Sequence, residues 1–213
     1  MSRLFEKPRQ ELAHSGVAGS GVAHSGNSPE FSLEQRRTLL RLAHGAILST
    51  FEGRRPSEAH AMPLWLSELR GVFTTLYLQG ELRGCVGYAL PVAPLFRAVM
   101  ETACAAAFDD TRFSPVTSQE ALELHISLSI LSQLRPIQAD EVVIGRHGLV
   151  ISHGARRGLL LPQVPVENRW DRETFLDQTC RKAGLPLHAW RKTATIEAFT
   201  AEVFSDDDVV DHR

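Results

Sequence analysis

The stretch Leu82-Arg83-Gly84-Cys85-Val86-Gly87 holds the residue types and spacing that point most directly to chemistry. As a strand, its period-two geometry would put Leu82, Gly84 and Val86 on one face and Arg83, Cys85 and Gly87 on the other. A guanidinium two residues from a thiol on one face would lower the thiol pKa and favour the nucleophilic thiolate. Glycines flanking the thiol remove bulk, so a ligand or another backbone can come close to the strand. The functional reading is a nucleophilic or redox-active Cys85 assisted by Arg83, with Gly84 and Gly87 against a ligand. The opposing reading is a small hydrophobe packed beside a sheet glycine, because free cysteine is among the most buried residue types.

His125 lies on the polar face of its expected strand with Ser127 and Ser129, where it could act as base toward Cys85 if the two strands share a face. The same residue could equally be hydrogen-bonded within a structural polar face. Arg146-His147-Gly148 and His153-Gly154 bracket another expected strand. His147 is a candidate ligand contact there, although both histidines also suit turns. A metal site would need a third ligand that the sequence does not nominate, so neither a metal nor a cofactor is assigned. Cys104 and Cys180 fall on apolar helix faces. Asp109-Asp110, close to Arg112, reads as an ion-paired turn more than an acid–base pair. A phosphate-cradling glycine loop, a Gly-x-Ser-x-Gly elbow and a His-Glu-x-x-His helix are all missing, which removes support for the usual nucleotide, hydrolase and metalloprotease readings.

The elements that must position these residues can be read from period and punctuation. Ser32-x-x-Gln35 resembles a capping box, and Leu39, Leu40, Ala43, Ala46, Ile47 and Phe51 follow at helical spacing until Gly53 and Pro56. Gly71 to Leu78, the turn Gln79-Gly80-Glu81 and Leu82 to Tyr88 predict a β-hairpin. Pro94 opens a helix through Phe108 whose apolar stripe is mostly small, which suits close packing on a sheet. From Leu122 to Ile130 apolar and polar residues alternate strictly, predicting a half-buried strand. A second hairpin is expected from Leu149 to Ser152 and Gly158 to Leu161. A helix N-capped by Asp171 should follow, then a last strand from Thr195 to Phe204. Hairpins imply antiparallel pairing, so the expected class is α+β: a mainly antiparallel sheet flanked by helices, with a smaller helical subdomain.

Composition sets the outer bounds. The chain has 213 residues, 43% hydrophobic and 23% charged, with formal net charge −2. Residues 1–28 carry Ala13-His14-Ser15-Gly16 repeated as Ala23-His24-Ser25-Gly26, which reads as a flexible tail more than a histidine metal site. The folded domain is expected over 32–205, with an acidic solvated tail over 206–213. No apolar run approaches the ~20 residues of a membrane helix, and the start lacks a signal-peptide core. Three cysteines without a C-x-x-C pair fit a reducing compartment, so the expectation is a cytoplasmic protein without membrane attachment. Near-neutral charge disfavours nucleic acid as a partner. A local surplus of five positive charges from Arg146 to Lys192 keeps that reading as the last of three.

Leu82 to Gly87 resembles the signature of the AMMECR domain, protein A of the AmmeMemoRadiSam system. The resemblance continues through Ala105-Ala106-Ala107-Phe108-Asp109-Asp110-Thr111-Arg112-Phe113, Pro115-Val116-Thr117 and Leu124 to Leu131. It resumes at His147-Gly148-Leu149, Gly158 to Val164 and Cys180 to Leu185, covering roughly residues 32–205. It implies a cytosolic α+β protein with a larger sheet-containing part and a smaller helical part. A Memo-like protein and a radical SAM protein are the partners it implies, and it implies no reaction or substrate. Two readings follow: an enzyme or enzyme subunit centred on Cys85, and a binding or adaptor protein in which Cys85 is structural.

Overall fold

The computed structural model describes residues 29–53 and 63–210. The repetitive stretch 1–28, with His14 and His24, lies outside the described residues. Helix α1 (Leu33–Phe51) begins at the expected capping box: Ser32 Oγ accepts the Gln35 N–H and Gln35 returns the bond to the Ser32 N–H. Strands β1 (Val72–Leu78) and β2 (Glu81–Tyr88) form the first hairpin. Its two-residue turn has Gln79 at φ 53° and Gly80 at φ 86°, the doubly positive pattern that matches strand twist.

Helix α2 (Leu95–Phe108) and the single turn α3 (Ser118–Ala121) precede strand β3 (His125–Leu131). The strict alternation starting at Leu122 therefore overreaches by three residues. Thr117 and Glu120 close a capping box that makes 118–121 helical and leaves Leu122 76% exposed. The short β4 (Arg135–Pro136) was not signalled by any pattern. Strands β5 (Gly148–His153) and β6 (Arg156–Leu160) form the second hairpin, followed by α4 (Gln163–Glu167) and α5 (Arg172–Lys182). Asp171 caps α5 as expected, accepting the Thr174 N–H.

The expected last strand is two strands, β7 (Thr195–Phe199) and β8 (Ala201–Ser205), broken at Thr200. This break organises the molecule. One antiparallel sheet runs β2-β1-β3-β8 and the other β4-β7-β5-β6, so the chain changes sheets between β7 and β8 and again between β3 and β4. The two crossings are tied together: Ser132 N–H donates to Thr200 O at 2.8 Å, and Thr200 N–H donates to Ser132 Oγ at 3.0 Å. The class is α+β, and the smaller part contains a sheet of its own beside α4 and α5.

Three apolar cores follow from this arrangement. Leu39, Leu40, Ala43 and Ile47 of α1 and Leu95, Ala98, Val99, Ala103 and Ala106 of α2 cover one face of the first sheet, on Val72, Leu76, Ile126 and Leu128. Each such large side chain stabilises the fold by about 1.5–3 kcal/mol on leaving water. Helix α5 covers the second sheet with Phe175, Leu176 and Cys180. Leu131, Val150 and Phe199, joined by Phe73, form the third core. Of the acids after β8, Asp206 belongs to the fold while Asp207 and Asp208 stay exposed: Asp206–Val209 is a 3₁₀ turn, and the Asp206 carboxylate accepts the Ile126 N–H at 2.8 Å and pairs with His44 of α1 at 3.0 Å. Among the described residues no helix is long and apolar enough to cross a membrane.

Candidate functional site

The site is built on the first sheet's second face, opposite α1 and α2. Pairing across the strands sets Cys85 opposite Thr75, Thr75 opposite Ser127, and Ser127 opposite Ser205. A row of one thiol and three hydroxyls therefore crosses all four strands, with every member partly exposed. Next to it on the same face lie Tyr77 and its cross-strand partner His125, and on the other side Phe73 opposite Gly87.

Thr75 Oγ1 donates to Cys85 Sγ at 3.3 Å. A hydroxyl that donates to sulfur is placed to bond an attacking thiolate as well. β2 is an edge strand, so the outer backbone groups of Cys85 need partners from elsewhere. Asp110 and Arg112 supply them: Asp110 Oδ2 accepts the Cys85 N–H at 2.9 Å, and Arg112 Nη2 donates to Cys85 O at 3.3 Å. Because these groups point away from β1, Thr75 and Cys85 form a non-hydrogen-bonded pair, the type that brings facing side chains closest.

The two clamping residues hold each other. Arg112 Nε and Nη2 reach Asp110 Oδ1 and Oδ2 at 3.0 and 2.7 Å. Burial by itself would raise the Asp110 pKa, but the Arg112 guanidinium and the N–H groups of Cys85 and Arg112 outweigh it and hold the carboxyl below its ordinary value. Arg112 is raised in turn, chiefly by that hydrogen bond.

All three nitrogens of the Arg83 guanidinium are engaged by partners other than Cys85. Leu76 pairs with Gly84 but Tyr77 pairs with Leu82, so Arg83 is the extra residue of a β-bulge and the period-two reading fails there. The bulge moves Leu82 onto the Cys85 face and sends Arg83 to α3. There Arg83 bonds Glu120 at 3.1 and 3.2 Å, Ser114 O at 2.8 Å and Pro115 O at 3.3 Å. The Arg83 guanidinium, helped by the backbone and hydroxyl of Thr117, lowers the Glu120 carboxyl to about 2. Arg83 thus secures the loop that carries Asp110 and Arg112, and the cation at Cys85 is Arg112.

Of the two close approaches that glycine permits, the structure uses the one between protein groups. A Cβ on Gly84 would lie 2.1 Å from Ala106 O of α2, and one on Gly87 would lie 2.3 Å from the Phe73 ring. Both glycines therefore serve packing, not open ligand space.

His125 shares the Cys85 face as expected, but β1 lies between them, and two strand spacings amount to roughly 10 Å. That is beyond proton-transfer reach of the thiol. His125 instead faces Asp207 at 3.5 Å and Asp206 at 4.0 Å. His147 closes a turn, its Nδ1 accepting the Val143 N–H at 3.1 Å. Burial first, then Arg146, lowers its pKa. His153 bonds Thr193 O at 2.8 Å. Among the described residues no three His, Cys, Asp or Glu side chains gather where they could hold a metal ion. Burial pushes the thiols of Cys104 and Cys180 up, which disfavours thiolate at both.

The sequence carries no local sign that Thr75, Ser127, Asp110 and Arg112 gather around Cys85. Asp110 and Arg112 were visible as an ion-paired turn, and nothing local showed that the turn docks on a strand 25 residues earlier.

The AMMECR1 family model matches residues 40–204. Protein MK0488 of Methanopyrus kandleri is 40% identical over 190 residues, covering 84% of this chain and 92% of that one. Protein TK0174 of Thermococcus kodakarensis is 42% identical over 184 residues, covering 79% and 89%. The crystal structure of Uncharacterized Protein PH0010 from Pyrococcus horikoshii superposes with a TM-score of 0.58 at 39% identity, covering 80% of this chain and 90% of that one. With the family model and relatives of this identity spanning the sheet, the bulged strand and the clamping loop, the chain belongs to the AMMECR1 family.

Proposed function

We propose that this protein is an enzyme, or the subunit of one, in which the Cys85 thiol attacks an electrophilic substrate. The observation that carries the reading is the setting of the thiol: partly exposed, bonded by the Thr75 hydroxyl, on a backbone pinned by Asp110 and Arg112. Such pinning fixes the sulfur's position in advance of any ligand, which is what nucleophilic catalysis asks of a scaffold. Following its resemblance to protein A of the AmmeMemoRadiSam system, the protein works in the cytoplasm with a Memo-like and a radical SAM partner.

A second reading, an adaptor with a structural Cys85, is favoured by one observation: Arg83, Gly84 and Gly87 of the same strand all serve internal packing. Mass spectrometry of small molecules and protein modifications in cells carrying wild-type or Cys85→Ala protein separates the two. Loss of a product with solubility and partner co-purification retained supports the enzyme. An unchanged product profile together with retained partner binding establishes the adaptor.

A further inference from the structure

Arg112 is only partly engaged in holding the fold. Its Nε and Nη2 serve Asp110 and the Cys85 carbonyl, while Nη1 donates to none of the described residues. The guanidinium lies over the Phe113 ring, 5.4 Å from its centroid, so its plane is fixed. Its side chain is 43% exposed, whereas that of Asp110 is 7% exposed. Both Asp110 oxygens are occupied, Oδ1 by the Arg112 backbone and Nε, and Oδ2 by Cys85 N–H and Nη2. The negative end of the pair is thus turned into the protein and the positive end outward. The Cys85 carbonyl that Arg112 touches is four bonds from Sγ, which keeps cation and thiol within about one Debye length, ~8 Å at physiological salt. Asp109, the C-cap of α2, is exposed in the same loop, and it adds opposing charge that any anion must overcome.

We infer that Arg112 binds a carboxylate or phosphate of the substrate beside Cys85, so that the site selects a small anionic electrophile. The Nη1 edge, unpartnered among the described residues, gives charge-assisted donors in a fixed plane, the arrangement that suits oxyanions better than a mobile ammonium does. This inference rests on Cys85 acting as a nucleophile.

The test compares two alkylating reagents that differ in charge. In both reactions the Cys85 thiolate attacks the methylene carbon, a C–S bond forms, the C–I bond breaks, iodide leaves, and the thiol proton passes to water. Rates at Cys85 are followed by peptide mass spectrometry with iodoacetate and iodoacetamide, beside N-acetylcysteine as the free thiol. The iodoacetate-to-iodoacetamide ratio is expected to exceed the free-thiol ratio roughly three- to tenfold. Arg112→Gln should return it to the free-thiol value, and Arg112→Lys should keep part of the excess. Continued protection of Cys180 reports that each variant is folded. A wild-type ratio equal to that of the free thiol, or an excess unchanged in Arg112→Gln, overturns the anion site while leaving Cys85 reactive. Absence of reaction with both reagents overturns the nucleophile reading itself.

Discussion

Asp110 accepts the backbone N–H of Cys85 at 2.9 Å, so the residue that carries the thiol is held on its outer edge by the loop that follows α2. An edge strand leaves such an N–H unpaired or paired with water. Here a carboxylate 7% exposed takes it, and an arginine bonded to that carboxylate takes the carbonyl of the same residue.

Removing that carboxylate should therefore reach both stability and reactivity. Asp110→Ala leaves the Cys85 N–H and the Arg112 guanidinium without their partner, and unfolding in urea should show a loss of about 2–4 kcal/mol. Asp110→Asn, which keeps the acceptor oxygen, should lose less. Equal midpoints for wild type and Asp110→Ala would show that the loop does not support the strand.

Thr75→Val keeps the side-chain shape and removes the hydroxyl that donates to sulfur. Alkylation of Cys85 by iodoacetamide near neutral pH should slow by roughly three- to tenfold, as expected for loss of one hydrogen bond to a charged atom. A rate unchanged in Thr75→Val would separate the hydroxyl from the chemistry of the thiol.

Gly84→Ala should be among the most damaging single-methyl additions in the protein. The new Cβ would meet Ala106 O at 2.1 Å, a helix carbonyl that can move only with α2. A cost of at least about 1–3 kcal/mol is expected from overpacking. Wild-type thermal stability in Gly84→Ala would mean that α2 is not seated as described.

Acid should weaken the Arg83 clamp in a defined window. Glu120 is lowered to about 2 by Arg83, and Asp110 and Asp206 are lowered as well, although burial acts in the opposite direction at both. Their folded forms hold fewer protons than the unfolded chain, so their contribution is complete above the ordinary carboxylate range near 4 and is lost as pH falls toward the folded values. Arg83→Met should flatten the fall of stability between about pH 5 and pH 2. An identical acid limb in that variant would contradict the pairing.

Local signals account for what the sequence made legible. Ser32 with Gln35 and Asp171 with Thr174 are caps whose partners lie three residues away, and the alternation from His125 to Ile130 is a property of one strand. The misread features depend on distant pairing. The bulge at Arg83 exists only relative to β1, and without that register the strand appears to present Arg83 beside Cys85. The break at Thr200 is set by Ser132, 68 residues away, so Thr195 to Phe204 reads as one strand. Asp206 looked like part of a charged tail because its partners, His44 and the Ile126 N–H, belong to α1 and β3. Cys85 was recognisable as a candidate, but its environment of Thr75, Asp110 and Arg112 comes from a neighbouring strand and a later loop.

The most direct measurement is the rate of iodoacetamide alkylation at Cys85 in the native protein, read peptide by peptide beside Cys180 and a free thiol. Cys85 is expected to react at least as fast as the free thiol while the fully buried Cys180 stays unmodified until the chain unfolds. Protection of Cys85 equal to that of Cys180 would rule out a nucleophilic role for Cys85.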